Sequence, residues 1–223
     1  MRILQVSDLH GNVRAAERTA RVAEEGGYDL VFVVGDITNF GTVQEAASIL
    51  QKVSGGGVPV YFVAGNCDPP ALLNYETGSE RVVNVSGRQY RYADYDLFGV
   101  GGSGETPSRA TWIEFTEDEL RGLLRKFRSI PGRGTVLISH SPPHDVKCDE
   151  VGGRHIGSKA VREFVESHPE LLLVSCGHVH EARSIDRLGN ALIVNAGPAK
   201  DGYCASITID DREIRAELKR LFP

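Results

Sequence analysis

MRILQVSDLH, residues 1–10, is a short apolar run that stops at a polar cluster, Ser7-Asp8-Leu9-His10. The same shape returns in YDLVFVVGD, residues 28–36, and in VPVYFVAGNCD, residues 58–68. Helical patterns separate the three, from Val13 to Glu25 and from Val43 to Val53. Strands alternating with helices at this spacing predict βαβ units and a largely parallel, buried sheet. Asp8 with His10, Asp36, and Asn66 then fall at the C-terminal ends of successive strands, where open α/β sheets place their ligands.

Outward from this block the alternation loosens. Arg81 to Val100 reads as strand without an intervening helix, which predicts some antiparallel pairing. A helix is expected from Glu117 to Phe127, opened by the capping-box spacing Thr116-x-x-Glu119, with Pro131 beyond its end. Thr135–Ile138 and Leu171–Ser175 read as strands flanking a helix over Lys159–Glu166. They deliver Ser139-His140-Ser141 and Gly177-His178-Val179-His180. Gly189-Asn190 between alternating apolar runs is a hairpin signal, and the tail reads as strands over Cys204–Ile209 and Ile214–Leu218. The expected class is α/β, with residues 1–223 forming a single domain.

Composition narrows the function. A chain that is 41% hydrophobic and 25% charged can bury a core. A net charge of −5 and a pI near 5.8 leave no basic footprint for a phosphate backbone, so nucleic acid is not an expected partner. The four cysteines, Cys67, Cys148, Cys176 and Cys204, make no C-x-x-C pair and fit a reducing compartment. The N-terminal apolar run is too short for a signal peptide, and no stretch reaches membrane-spanning length. These features predict a cytoplasmic protein that does not engage a membrane.

The polar clusters are the informative part. In an extended chain alternate residues face one side, so Asp8-x-His10 and His178-x-His180 can each aim two side chains into one pocket. Carboxylate, imidazole and amide oxygen together suit manganese, iron, zinc or nickel better than calcium, which takes oxygen only, or structural zinc, which favours thiolate. Taken singly, each cluster reads as a strand-end turn or cap. Their joint occurrence in order at five strand ends overturns that reading.

In that order, Asp8-Leu9-His10, Gly35-Asp36, Gly65-Asn66-Cys67-Asp68, Ser139-His140 and Gly177-His178-Val179-His180 resemble the calcineurin-like metallophosphoesterase superfamily over nearly the whole chain. His140-Ser141-Pro142-Pro143 and Asn195-Ala196-Gly197-Pro198 further resemble the prokaryotic Icc-related phosphoesterases. The resemblance implies a four-layer α/β/β/α sandwich with a mixed sheet core. It implies that Asp8, His10, Asp36 and His180 hold one divalent ion while Asp36, Asn66, His140 and His178 hold another, with Asp36 bridging. The reaction so implied is hydrolysis of a small phosphomonoester or phosphodiester by metal-bound hydroxide, available because a bound water titrates near about 7. Where many members carry a histidine that assists the leaving group this chain has Cys67, so Cys67 and Asp68 mark the leaving-group position.

Other signals carry less. Gly99-Val100-Gly101-Gly102-Ser103-Gly104 matches G-x-G-x-x-G, but no helix opens behind it, so it reads as a flexible loop beside the site rather than a dinucleotide fingerprint. His144 and His155 lie in a long loop, 141–157, directly after His140, and with Asn66 are candidates for substrate contact. Two other functions compete: a metallonuclease on single-stranded nucleic acid, and a non-catalytic protein-binding module of the same fold. The acidic balance counts against the first and the complete ligand set against the second.

Overall fold

The computed structural model describes residues 1–106, 109–129, 132–211 and 213–222; Pro131 of the sequence reading lies outside these. The first block folds as its pattern demands: β1 (Arg2–Val6), α1 (Val13–Glu25), β2 (Leu30–Val34), α2 (Val43–Val53), β3 (Val60–Val63) and β4 (Val82–Asn84). Asn12 caps α1 by accepting from the Ala15 N–H, and Thr42 with Glu45 forms a capping box on α2. β3 begins two residues later than its apolar run, because Pro59 has no N–H to give a ladder.

The chain continues through β5 (Gln89–Tyr92), β6 (Tyr95–Val100), β7 (Ser103–Gly104), β8 (Glu114–Phe115), α3 (Glu117–Leu124) and β9 (Gly134–Ser139). There follow β10 (Glu150–Val151), β11 (Arg154–His155), α4 (Lys159–Ser167), β12 (Leu171–Cys176), β13 (Ser184–Leu188), β14 (Ala191–Asn195), β15 (Tyr203–Asp210) and β16 (Glu213–Arg220). Two six-stranded sheets result, ordered β16-β15-β1-β2-β3-β4 and β13-β14-β12-β9-β6-β5. In the first, β1 to β4 run parallel and β15 and β16 add antiparallel; in the second, β14, β12, β9 and β6 run parallel between antiparallel edges.

Strand alternation sorts the apolar side chains into three cores. Ile3, Leu30, Phe32 and Val34 meet Leu97, Val136, Ile138 and Val194 between the sheets. Leu4, Val6, Val31 and Val33 pack under α1 and α2, while Phe98, Leu137, Val174 and Ile193 pack under α3 and α4. This is the four-layer α/β/β/α arrangement, with both faces of each sheet covered. Buried Gln5 lies among the apolar side chains and donates its amide to Cys176 O and Val194 O, both at 2.9 Å, tying β1 to the facing sheet.

Three details differ from the sequence reading. α3 stops at Leu124 because the next N–H groups of Lys126 and Phe127 turn back to the i−3 carbonyls, and Phe127 then packs on Phe98 and Phe164. Residues 141–157 hold a small antiparallel hairpin, β10–β11, rather than open loop. The glycine-rich segment after β6 is pinned, with the Gly102 N–H on Ala64 O and Ser103 paired to Glu114 across β7 and β8.

Candidate metal centre

The seven expected ligands stand at the C-terminal ends of five parallel strands: β1 carries Asp8 and His10, β2 Asp36, β3 Asn66, β9 His140, and β12 His178 and His180. The loops that hold them are knitted by main-chain bonds. Asp8 N donates to Gly35 O at 3.0 Å, His10 N to Asp36 O at 2.8 Å, and Gly177 N to His140 O at 3.1 Å. Among the described residues nine non-glycines have positive φ, and four of them are Asp8, His10, Asp36 and His178. Left-handed backbone costs such residues on the order of 1 kcal/mol each and persists where the surroundings over-determine it. Two glycines make the loops' approach possible. A Cβ on Gly35 would stand 2.2 Å from His140 Nδ1, and one on Gly177 2.6 Å from Ser7 Cβ and 2.8 Å from Asp8 Oδ2.

At one end of the centre, His10 Nε2 lies 3.3 Å from His180 Nε2, and His180 Nε2 3.3 Å from Asp8 Oδ1. At the other, His140 Nε2 lies 2.9 Å from Asn66 Oδ1 and 3.5 Å from Asp36 Oδ1. Asp36 Oδ2 reaches back to 3.7 Å from His10 Nε2, so this carboxylate faces both ends. His140 Nδ1 lies 2.8 Å from Val34 O, which can only accept, so Nδ1 carries a proton and Nε2 is the atom left to face Asn66 and Asp36. His140 Nε2 and the side-chain oxygens of Asn66 and Asp36 thus converge on one another. Asp8 Oδ1 is likewise buried without a hydrogen-bond partner. Donors about 2.1 Å from one shared cation stand about 3–3.5 Å from each other, which is the spacing observed. The residues fit divalent metal.

The electrostatics favour the ligating forms of His10, His178 and Asp8, and oppose those of His180 and Asp36. Burial drives the His10 pKa down to about 4 and the His178 pKa to about 3, in the second case with the charge of His140 adding, so both rings are neutral near pH 7. Burial works against ionised Asp8, but His180 and His140 outweigh it and hold the carboxyl below its usual range. His180 is raised in turn by contact with Asp8. Burial pushes Asp36 up, with the like charge of Asp8 adding and His140 opposing.

Of the other expected site residues, Cys67 faces the cluster: its Sγ groups with His10 and Asp36, and its N–H donates to Asp36 Oδ1 at 2.8 Å. Burial, then the Asp36 charge, keep the thiol raised and protonated. Asp68 turns away from the leaving-group side. Its Oδ1 accepts from Thr38 N and Oγ1 and its Oδ2 from Ile37 N and Gly65 N, so it clamps the β2 and β3 loops together. His155 is held by buried Asp149 at 2.7 Å, and its ring centroid lies 5.8 Å from that of His144. Sequence reading passed over Trp112 and Ile113, whose N–H groups both donate to Asn66 O. The single tryptophan of the chain was the available signal.

Residues 1–182 match the family model for calcineurin-like phosphoesterase. The chain belongs to that family. It is 33% identical to the uncharacterised protein MJ1162 of Methanocaldococcus jannaschii over 89% of this chain and 88% of that one. It is 23% identical to the 3′,5′-cyclic adenosine monophosphate phosphodiesterase CpdA of Escherichia coli K12, over 94% of this chain and 81% of that enzyme. Among solved structures, TT1561 of Thermus thermophilus shares the fold, with a TM-score of 0.78 at 20% identity over 99% of this chain and 98% of that one. Family members typically bind divalent metals. No helix among the described residues is long and apolar enough to cross a membrane.

Proposed function

We propose that this calcineurin-like phosphoesterase is a dinuclear-metal hydrolase of small phosphodiesters, working as one domain over residues 1–223 in the cytoplasm. The observation that carries the reading is the convergence of Asp8, His10, Asp36, Asn66, His140 and His180, whose nitrogen and oxygen atoms approach one another to 2.9–3.7 Å across the two sheets. Manganese, iron, zinc and nickel suit this donor set; when bound, two such ions acidify water and neutralise phosphoryl charge. Asp8, His10 and His180 hold one end, Asn66, His140 and His178 the other, and Asp36 spans both. Val34 O fixes the tautomer and aim of His140. Hydrolysis of a diester rather than a monoester is supported by CpdA, whose name assigns it a cyclic phosphodiester.

The test is metal content measured beside turnover. Protein loaded with manganese should hydrolyse bis(p-nitrophenyl) phosphate faster than p-nitrophenyl phosphate, and exhaustive chelation should abolish both. Activity that persisted in protein shown by elemental analysis to be metal-free would sink the proposal. Faster cleavage of single-stranded DNA than of any small diester would favour the nuclease reading instead.

A further inference from the structure

The large hydrophobic side chains left exposed, among the described residues, are Val13, Phe40, Trp112 and Ile156. Phe40 and Trp112 hydrogen-bond through their backbone to the loop that carries Asn66, and Val13 lines a groove with His10. Val13 follows His10 by three positions and Phe40 follows Asp36 by four. Trp112 is tied to the ligand loop itself: its N–H donates to Asn66 O at 2.8 Å, while the Phe40 N–H donates to the next carbonyl, Cys67 O, at 2.9 Å. Two segments that are 72 positions apart in sequence thus rest on adjacent peptide units of one loop, and their rings meet edge to face, centroids 5.2 Å apart at 70°. Phe40 is 43% and Trp112 46% exposed. Phe40 also adopts φ 58°, a conformation a bulky residue rarely holds and glycine would take without cost. The residues on either side of it, Asn39 and Gly41, line a groove of about 330 Å³ that starts at His10.

We infer that Phe40 and Trp112 form a specificity subsite for a planar aromatic substituent of the ester, a nucleobase or an aryl ring, held beside the metal centre while its phosphate sits on the ligands. The inference rests on the phosphoesterase reading above and deepens it. An edge-to-face aromatic pair leaves one indole or phenyl face open, and stacking on such a face is tolerant of the base's identity because every base presents a π-surface. A purely structural role for the pair is the weaker account: close to half of each residue's surface is left open, and the hydrogen bonds to Asn66 and Cys67 come from backbone, which does not call for an aromatic side chain.

Because Trp112 is the only tryptophan, its fluorescence reports the subsite without turnover. In metal-loaded wild type, adenosine 5′-monophosphate should quench it saturably while ribose 5-phosphate has little effect. Phenyl phosphate separates the two sources: quenching as tight as that by the nucleotide points to a simple aryl ring, weaker quenching to a base. Equal responses to the nucleotide and to ribose 5-phosphate, or no response, would overturn the subsite. Loss of esterase activity with this quenching intact would overturn the phosphoesterase reading instead. In the hydrolysis assay, Trp112→Ala should lower the kcat/KM ratio of an aryl diester to an alkyl diester roughly 5- to 100-fold, as loss of a base-stacking contact does, and Trp112→Phe should restore most of it. Phe40→Leu, which keeps the fluorescent reporter, should lower the same ratio and weaken the quenching. Variants that slow both esters alike would show the rings act only by holding Asn66 in place.

Discussion

The two sheets contribute unlike halves to one centre. The first supplies every oxygen donor, Asp8, Asp36 and Asn66, with a single imidazole from His10; the second supplies only imidazoles, His140, His178 and His180. The first half is organised within its own sheet. Asp68 gathers four donors from the β2 and β3 loops, and Asp36 accepts from the Cys67 N–H. The second half is organised against the first: His140 is oriented by Val34 O, and the His178 N–H donates to Asp8 Oδ2 at 3.2 Å. The closest ligand pairs, His140 with Asn66 and His180 with Asp8 and His10, all cross between sheets. Carboxylates therefore come from one sheet and most of the imidazoles from the other, and the geometry of the centre depends on how the sheets meet.

The largest test of this division is Asp36→Asn, which removes the carboxylate that faces both ends. Metal content should fall towards zero and turnover by on the order of 10³-fold or more, since metal chemistry is worth several kcal/mol of transition-state stabilisation. A variant that kept two ions and ordinary turnover would mean the halves do not share a bridging group. Next comes the contact between the halves. Gly177→Ala removes no ligand but drives a methyl against Ser7 and the Oδ2 of Asp8; over-packing of this kind costs roughly 1–3 kcal/mol, or a few degrees of melting temperature per kcal/mol in a chain of this size. Scanning calorimetry together with metal analysis should show both stability and ion content reduced, and an unchanged melting point would disprove tight interlocking. The smallest effect is expected at Cys67, whose thiol faces His10 and Asp36. Cys67→Ser should keep its ions and change aryl-ester turnover by less than about an order of magnitude, below the usual worth of general acid catalysis. Loss of an ion in that variant would make the first sheet a sulfur donor as well.

Local rules made much of this legible. The bounds of α1 and α2 follow from apolar period and caps, the β13–β14 turn from Gly189-Asn190, and the ligands from their position after strand-like runs. What stayed hidden was set by distant neighbours. Apart from the Gly65 N–H, nothing near Asp68 says that its carboxylate turns towards Ile37 and Thr38, since those donors lie 31 and 30 positions back. Residues 150–155 form a hairpin around buried Asp149, a carboxylate whose burial no local pattern announces. Trp112 carried no periodic signal, and its place is fixed by one main-chain carbonyl of the ligand loop.

The interlocking of the halves also sets when the centre can come into being. His140 meets Asn66 across 74 positions, and His10 meets His180 across 170. Contacts so distant along the chain are reached late, because loop-closure entropy is spent before they give anything back. During synthesis the ribosome releases Asp8, His10, Asp36 and Asn66 long before His178 and His180, so the emerging chain carries a half-site of three oxygens and one nitrogen. Under the proposed function, metal capture belongs to the close of folding. Ions that bind only the finished centre raise its stability by mass action, so their supply bears on the lifetime of the folded protein more than on its route to the fold.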